Sequence, residues 1–453
     1  MVLTNRLSVV LMLLPFMFAA SVGQSHGATI RAASVAYEDV RAAVAAAASG
    51  DIVVVPAGSA TWLSTLKITK RIWLVGAGVG QTIIVSGVAS RDCIISYAPA
   101  DAASTSFFRL SGFTLDANNT SRLVEILRTD TTTPTYVRID HNRFVGALTS
   151  FPSVLEVMGV VYGVVDNNTF DNQAHIDNYG MGGTAWKNLT YRPGSAENLY
   201  YEDNTFNLTQ TADSGGHGGR YAKRYNDYNL QDPRPFTGLS GFYPLFDAHG
   251  NQEGDVHATM GLEIYGNRGT GNFTTNFLVQ RGGKGIALFN KLFNANSVGM
   301  AVVDDVADSA CVPSTAPDGT PQRPNSSYYW NNRAGADGTK IFHAVEGKDV
   351  EGKLAENLSW WNQNDKFDGK TGIGCGTLAA RPAICSPGVG YWASGQSCSF
   401  IDNRSVGRNP SVPISGTLYR CTAVGAWEEY FKPFTYPHPF RGPAAPGGPK
   451  MIR

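Results

Sequence analysis

Five short glycine-ended segments carry histidine, tyrosine, carboxylate and guanidinium groups at repeating offsets. They are Leu155-Glu156-Val157-Met158-Gly159, Ile176-Asp177-Asn178-Tyr179-Gly180, Asp213-Ser214-Gly215-Gly216-His217-Gly218, Phe246-Asp247-Ala248-His249-Gly250 and Leu278-Val279-Gln280-Arg281-Gly282. Four of them place an apolar residue, Leu155, Ile176, Phe246 or Leu278, four positions before the glycine. Side chains alternate across a strand, so if those four point inward, the residues one and three before each glycine point outward. Strands stacked about 4.8 Å apart would then join Asp177, Tyr179, His217, Asp247, His249 and Arg281 into one polar patch. Arg220 and Lys284 lie just beyond its glycines, and glycine at such points lets a ligand approach the backbone closely. A slip of one residue in any strand would turn its side chains inward.

This set of groups suits β-elimination on a uronic acid, which needs a cation to neutralise the carboxylate, a base for the adjacent C5 proton and an acid for the leaving oxygen. Arg281, with Arg220 or Lys284, supplies the cation as a planar fork or point charge. His249 or His217 suits the base, and Tyr179 the acid. Asp177 and Asp247 could orient the histidines, contact substrate, or hold a calcium ion through hard oxygens. Glycoside hydrolysis, the second reading, needs two carboxylates flanking the bond. The third is a non-catalytic carbohydrate-binding face, on which each histidine is a solvated residue. A face dominated by aromatic, Asn and Thr side chains would favour that reading over an enzyme.

The elements that must position these residues follow from a repeated phrase of alternating apolar residues, then Asn, then an aromatic. It reads Val137-Arg138-Ile139-Asp140-His141-Asn142-Arg143-Phe144, then Val164-Val165-Asp166-Asn167-Asn168-Thr169-Phe170, then Tyr200-Tyr201-Glu202-Asp203-Asn204-Thr205-Phe206. Looser copies end at Asn226, Asn267, Asn290 and Asn332, with successive spacings of 26, 36, 22, 41, 23 and 42. A minimum near 22 with variable additions fits one coil of a β-solenoid plus loops of different length. Asn tolerates the left-handed backbone of a sharp bend, and stacked amides can bond from coil to coil. The following Phe would fill the core. Asp140, Asp166 and Glu202 form a second column, with Arg224 next. That column could bind calcium, or be a solvated, turn-capping edge. The Ala-rich run from Tyr37 predicts a short helix ending at Gly50, which would plug the N-terminal end. Tyr391-Trp392, Leu418 to Cys421 and Trp427 predict a small hairpin module, and Pro433 to Pro439 an extended tail. Tyr328-Tyr329-Trp330 and Trp360-Trp361 could stack on sugars or serve core and cap.

From the helix through Asp51-Ile52-Val53-Val54-Val55-Pro56-Ala57-Gly58 to Val75-Gly76-Ala77-Gly78, the chain resembles the opening of pectate-lyase-like proteins, and Val137 to Phe144 resembles their strand-and-Asn-turn phrase. The resemblance covers residues 30 to 370. It implies an all-β fold, a right-handed parallel β-helix, and an exported protein acting on polysaccharide. The fold hosts lyases, hydrolases, esterases and tailspikes, so the reaction does not follow from it. The family's Arg-x-Pro-x-x-Arg phrase is absent, so pectate as substrate is not implied. Gly216-His217-Gly218 and Asp304-Asp305 resemble short polygalacturonase motifs, but the aspartates follow the glycine-histidine pair instead of preceding it, and the downstream Arg-Ile-Lys is missing. Hydrolysis therefore ranks second.

Composition agrees with many short strands. Charged residues are only 16% of 453, and glycine reaches 50, against a typical charged share of about 25%. Lys plus Arg equals Asp plus Glu at 37 each, which excludes a polybasic nucleic-acid binder or an acidic tail. Arg6, the apolar run Leu7–Ala20 and the small residues after it predict a signal peptide over 1–24, with an uncleaved anchor as the alternative. The boundaries that follow are a solenoid over 30–370 and a cap module with tail over 371–453. Of six cysteines, Cys375, Cys385, Cys398 and Cys421 fall in that last region, where disulfides would staple the cap, while Cys93 and Cys311 lie earlier. No cysteine spacing fits a zinc site. The protein is thus expected to be secreted or periplasmic, monomeric, free of the membrane once the signal is removed, and partnered by an extended acidic polysaccharide.

Overall fold

The computed structural model describes residues 27–89, 92–99, 107–118, 122–127, 134–146, 153–208, 213–230, 244–251, 256–271, 276–295 and 298–442. The signal-peptide segment and the tail beyond 442 lie outside the described residues. The chain winds through three long sheets in strict rotation. Sheet I has 12 strands, sheet II 11 and sheet III 10. One coil, for example, runs Val161–Asp166 in sheet I, Thr169–Asn172 in sheet II and His175–Tyr179 in sheet III. The next repeats it as Leu199–Glu202, Thr205–Leu208 and Asp213–Gly216. Each strand pairs in parallel with its counterpart one coil on. The one exception among these three sheets is Lys340–Ile341, an antiparallel last strand of sheet II. The molecule is an all-β parallel β-helix, as the Asn-phrase spacing predicts.

The bend from sheet I to sheet II is built on the predicted asparagines. Asn142, Asn168, Asn204, Asn226, Asn267, Asn290 and Asn332 are all buried. Each side-chain amide of the first six donates to the next coil's side-chain oxygen, at 3.1, 3.0, 3.0, 3.1, 2.9 and 2.8 Å. The same amides also bond main-chain carbonyls, as Asn168 does with Ile139 (2.8 Å) and Asp166 (3.1 Å). The left-handed residue, however, is not the ladder Asn but the one before it: His141, Asn167, Asp203, Tyr225, Gly266, Phe289 and Asn331 all have φ between 47° and 65°. The turn is thus made one position earlier, which frees the Asn to point inward. Behind it Phe144, Phe170, Phe206 and Tyr228 stack through the core, with ring centroids 4.9, 4.7 and 4.6 Å apart.

The N-terminal helix spans Tyr37–Ala46, stopping before the predicted Gly50, and buries Val40, Ala43 and Val44 in the core. The C-terminal module has a buried cluster of its own. The last side chains of the solenoid core are Leu354 and Trp360. The module is a four-stranded sheet of Ile373–Gly376, Gly390–Ala393, Thr417–Ala423 and Ala426–Phe431, stapled by Cys375–Cys398 and Cys385–Cys421. It packs sideways, setting Leu418, Trp392 and Phe431 against Tyr328, Trp330 and Trp361 on the outer face of sheet I. Cys93 and Cys311 form no disulfide.

The tail then runs back along that face as a strap. Phe434 stacks on Tyr200 (5.1 Å), Tyr436 meets Asp203 (2.9 Å) and Phe440 stacks on Phe107 (4.7 Å). Beneath and beside it lies the acidic column, which is neither solvated nor arranged for calcium. Arg109 grips Asp140 (2.6 Å through both Nε and Nη2), Arg138 grips Asp166 (3.0 and 3.1 Å), and Arg224 grips Glu202 (2.8 Å). Arg441 of the strap joins Glu202 (2.8 Å) and Asp203. Each buried carboxylate is matched by a guanidinium fork, the arrangement that burial of charge requires.

Candidate functional site on the outer face of sheet III

Sheet III carries the predicted row. Glu156 pairs with Asp177, and Met158 with Tyr179. Ser214 then stands between Asp177 and Asp247, whose next neighbour is Val279. Ile176, Phe246 and Leu278 point into the core, as the alternation predicts. The Gly-rich strand Asp213–Gly216 is the exception. The residue beside Tyr179 is Gly216, not His217. His217 falls one place later, at φ 52°, in a turn closed by Gly219 N to Gly216 O (2.8 Å). The slip has a physical reason: Asp213 is the inward residue here, held by Lys223 (3.1 Å) and Asn178 (2.5 Å). No apolar side chain marks the inner face of this strand.

The slip creates a niche. A Cβ on Gly216 would lie 3.2 Å from the Tyr179 ring and 3.5 Å from His249 Cβ, so Tyr179 and His249 stand on either side of a position with no side chain. His217 edges it, its ring centroid 5.0 Å from that of Tyr179 at 69°. Arg281, after its strand, turns back over this end of the row. Its Nη2 reaches Asp247 (2.7 and 2.8 Å) and His249 Nδ1 (2.9 Å), and its Nε reaches Asp247 (3.1 Å). Its Nη1 reaches Asp305 at 3.4 Å. A guanidinium can only donate, so Nδ1 of His249 is the acceptor and the ring's proton sits on Nε2, which faces Asp247 Oδ2 at 3.4 Å.

Asp177 is occupied by His175 Nε2 (3.0 Å) and by Ser153 Oγ. Burial works against its ionisation, but His175, Ser153 and Tyr179 outweigh it and hold the carboxyl below its usual range. The same pairing, against burial, raises His175. Burial first, and then Asp177, push the Tyr179 phenol well up, so it keeps its proton. Glu156, further along the row, is pushed up to about 7 by burial, against the opposing Arg122.

Arg220 and Lys284 do not join the row. Both begin strands of sheet I, and both are engaged elsewhere: Arg220 with Tyr162 OH (2.8 Å) and Thr190 O (3.1 Å), Lys284 with Asp318 (2.7 Å). Beneath the site lies a buried polar cluster that the sequence reading did not find. Lys223 Nζ sits 3.2 Å above the Tyr201 ring and pairs with Asp213. Burial, against that pairing, pushes Asp213 up to about 7 and Lys223 down to about 8. A lysine and an aspartate each four residues or fewer from a glycine-rich turn give no periodic signal, which is why they escaped notice. Among the described residues no group of three or more His, Cys, Asp or Glu is placed to hold a metal ion.

Fold and row together define a parallel β-helix protein with a histidine–tyrosine–arginine niche on one face. No family model matches the chain. No curated protein matches it either. Among solved structures, it is similar to ORF18 of Geobacillus virus E2, at 13% identity and a TM-score of 0.37, over 86% of this chain and 72% of that one. A likeness of that degree carries no inference about function.

Proposed function

We propose that the protein is an exported polysaccharide lyase that binds one uronic acid residue of an extended acidic polymer in the Gly216 niche. The observation that carries the reading is the side-chain-free slot between Tyr179 and His249, edged by His217. A sugar ring laid across the backbone at Gly216 meets an acid, a base and a guanidinium without rearrangement of the sheet, the kind of positioning that lowers a barrier. The carboxylate pairs with the Arg281 guanidinium, which Asp247 and His249 hold in place. His217 takes the C5 proton, the C4–O bond breaks as the C4=C5 bond forms, and the Tyr179 phenol protonates the leaving oxygen. Asp247 does not touch substrate but fixes the Arg281 fork, and Asp177 fixes His175. Two disulfides fit an oxidising compartment, and no helix among the described residues is long and apolar enough to cross a membrane.

One observation favours hydrolysis as a second reading. Asp177 and Asp247 share one row with Ser214 between them. Two strand spacings of about 4.8 Å put their backbones roughly 9.6 Å apart, near the upper end of the roughly 6.5–9.5 Å between carboxyls in inverting hydrolases. Incubation of the purified protein with alginate, pectate, glucuronan and glycosaminoglycans separates the two. Ultraviolet absorbance of an unsaturated product supports elimination. Reducing ends without that absorbance would replace it with hydrolysis. Retention on a polysaccharide column with neither signal would make the face a binding surface.

A further inference from the structure

We propose that Lys223 and Asp213 join through an intramolecular amide bond inside the solenoid, a covalent cross-link between sheet I and sheet III. Lys223 lies on the sheet I strand Arg220–Arg224, in register with the core residues Tyr201 and Ile264. Asp213 opens the sheet III strand Asp213–Gly216, in register with the core residues Ile176 and Phe246. Both side chains therefore point into the lumen, where both are buried from solvent. Nζ and Oδ2 stand 3.1 Å apart, yet neither atom makes a directed hydrogen bond to any described residue. A directed hydrogen bond would hold the amine near the plane of the carboxylate. Without one, Nζ is free to approach the carboxyl carbon from its face.

In water an ammonium and a carboxylate do not condense, because the amine's lone pair is protonated and the carboxylate carbon is shielded by charge. The lumen removes both obstacles. Burial penalises each ion, drawing Asp213 up to about 7 and Lys223 down to about 8 despite their mutual attraction. One Nζ proton passes to Oδ2, and the neutral amine attacks Cγ. Negative charge develops on Oδ1, to which the Asn178 side-chain amide donates at 2.5 Å. Asn178 is itself oriented by the Tyr201 hydroxyl, which donates to its Oδ1 at 2.6 Å. A second Nζ proton then passes to Oδ2, the Cγ–Oδ2 bond breaks and one water leaves. Nζ keeps its last proton as the amide N–H, and no outside reactant is needed. The rings of Tyr201, 3.2 Å from Nζ, and Tyr221, 5.6 Å from it, help to exclude solvent from the pair. Fixed proximity of this kind replaces a bimolecular collision. The bond closes a loop around the Gly216–His217 turn. It does not depend on what the outer face of sheet III binds, so either claim can fail without the other.

Peptide mapping of the reduced, denatured full chain tests this. Trypsin cuts after Lys187, Arg220, Lys223 and Arg224, while Arg192, before Pro193, resists it. A Lys223 acylated on Nζ is not cut. The expected product is Asn188–Arg220 joined to Tyr221–Arg224, lighter by one water than the two peptides together, with fragment ions placing the link between Asp213 and Lys223. Release of free Tyr221–Lys223 overturns the proposal and leaves an ordinary buried ion pair. A link from Lys223 to Phe144–Lys187, with ammonia lost, overturns it too, since the partner would be Asn178. Asn178→Leu keeps the volume and removes the donor. In pulse-labelled chains it slows linkage about a hundredfold, the scale of one lost donor to a developing oxyanion. Linkage at the parental rate in that variant overturns the step as written.

Discussion

At the scale of single residues, the account assigns different work to groups that look alike in the sequence. His217 and His249 both follow small residues in sheet III segments, but His249 bonds Arg281 through Nδ1 while His217 sits in the turn beyond its strand. His217→Ala and Tyr179→Phe therefore remove the base and the acid. Each is expected to lower kcat about a hundredfold or more, the usual scale for a lost proton-transfer group. Steady-state kinetics on the responsive polyuronate check this. Arg281→Ala and His249→Ala lose carboxylate binding as well, so KM rises while kcat falls by a similar hundredfold. Unchanged turnover in both would move the site elsewhere. Asp247→Asn acts through Arg281, and its mark is a raised KM with a smaller change in kcat. The row itself was legible because Ile176, Phe246 and Leu278 mark the inner face. It was misread at His217 because the inner residue of that strand is Asp213, a charged group whose inward position depends on Lys223 and Asn178.

At the scale of elements, the asparagine ladder was readable from the sequence, since one residue type recurs at one phase of every coil. Its geometry was readable only in part. The residues that take the left-handed turn are His141, Asn167, Asp203, Tyr225, Gly266, Phe289 and Asn331, a set with no shared chemistry. The ladder's value is that it satisfies buried amides from both sides. Asn204 accepts from the main-chain and side-chain nitrogens of Asn168, at 2.9 and 3.0 Å, and donates to Asn226 at 3.0 Å. Asn204→Leu strands those donors and is expected to cost about 1–3 kcal/mol for each buried group left unpaired. A clear fall in the thermal unfolding midpoint would register it, whereas Asn207→Leu, on the half-buried face of sheet II, changes it far less. The N-terminal helix stops short of Gly50 because Ala47 already turns extended while remaining in the core.

At the scale of the whole molecule, the placement of the C-terminal module and strap was beyond sequence reasoning. Nothing in Pro433 to Pro439 says which of three outer faces is open to receive it. The strap carries a pH dependence. His438 is buried against Tyr200 and Phe440, and burial, with Arg224, Arg138 and Arg441 nearby, pushes its imidazole down to about 3 despite the opposing Glu202. A histidine depressed in the folded state stabilises it fully above the ordinary value of about 6.5 and loses that contribution as pH falls toward 3. Limited proteolysis with an acid-active protease is expected to release the strap near pH 4 and leave it intact at pH 7. His438→Leu extends protection to lower pH. The central claim is that stacked coils bring Tyr179, Gly216, His217, His249 and Arg281 to one site on the outer face of sheet III. Gly216→Val tests it most directly, because the added side chain fills the space between Tyr179 and His249, where even its Cβ lies 3.2 Å from the Tyr179 ring and 3.5 Å from His249 Cβ. The account predicts loss of unsaturated product in a protein that still unfolds in one cooperative transition. A Gly216→Val protein that folds and cleaves its polysaccharide at the parental rate would contradict it.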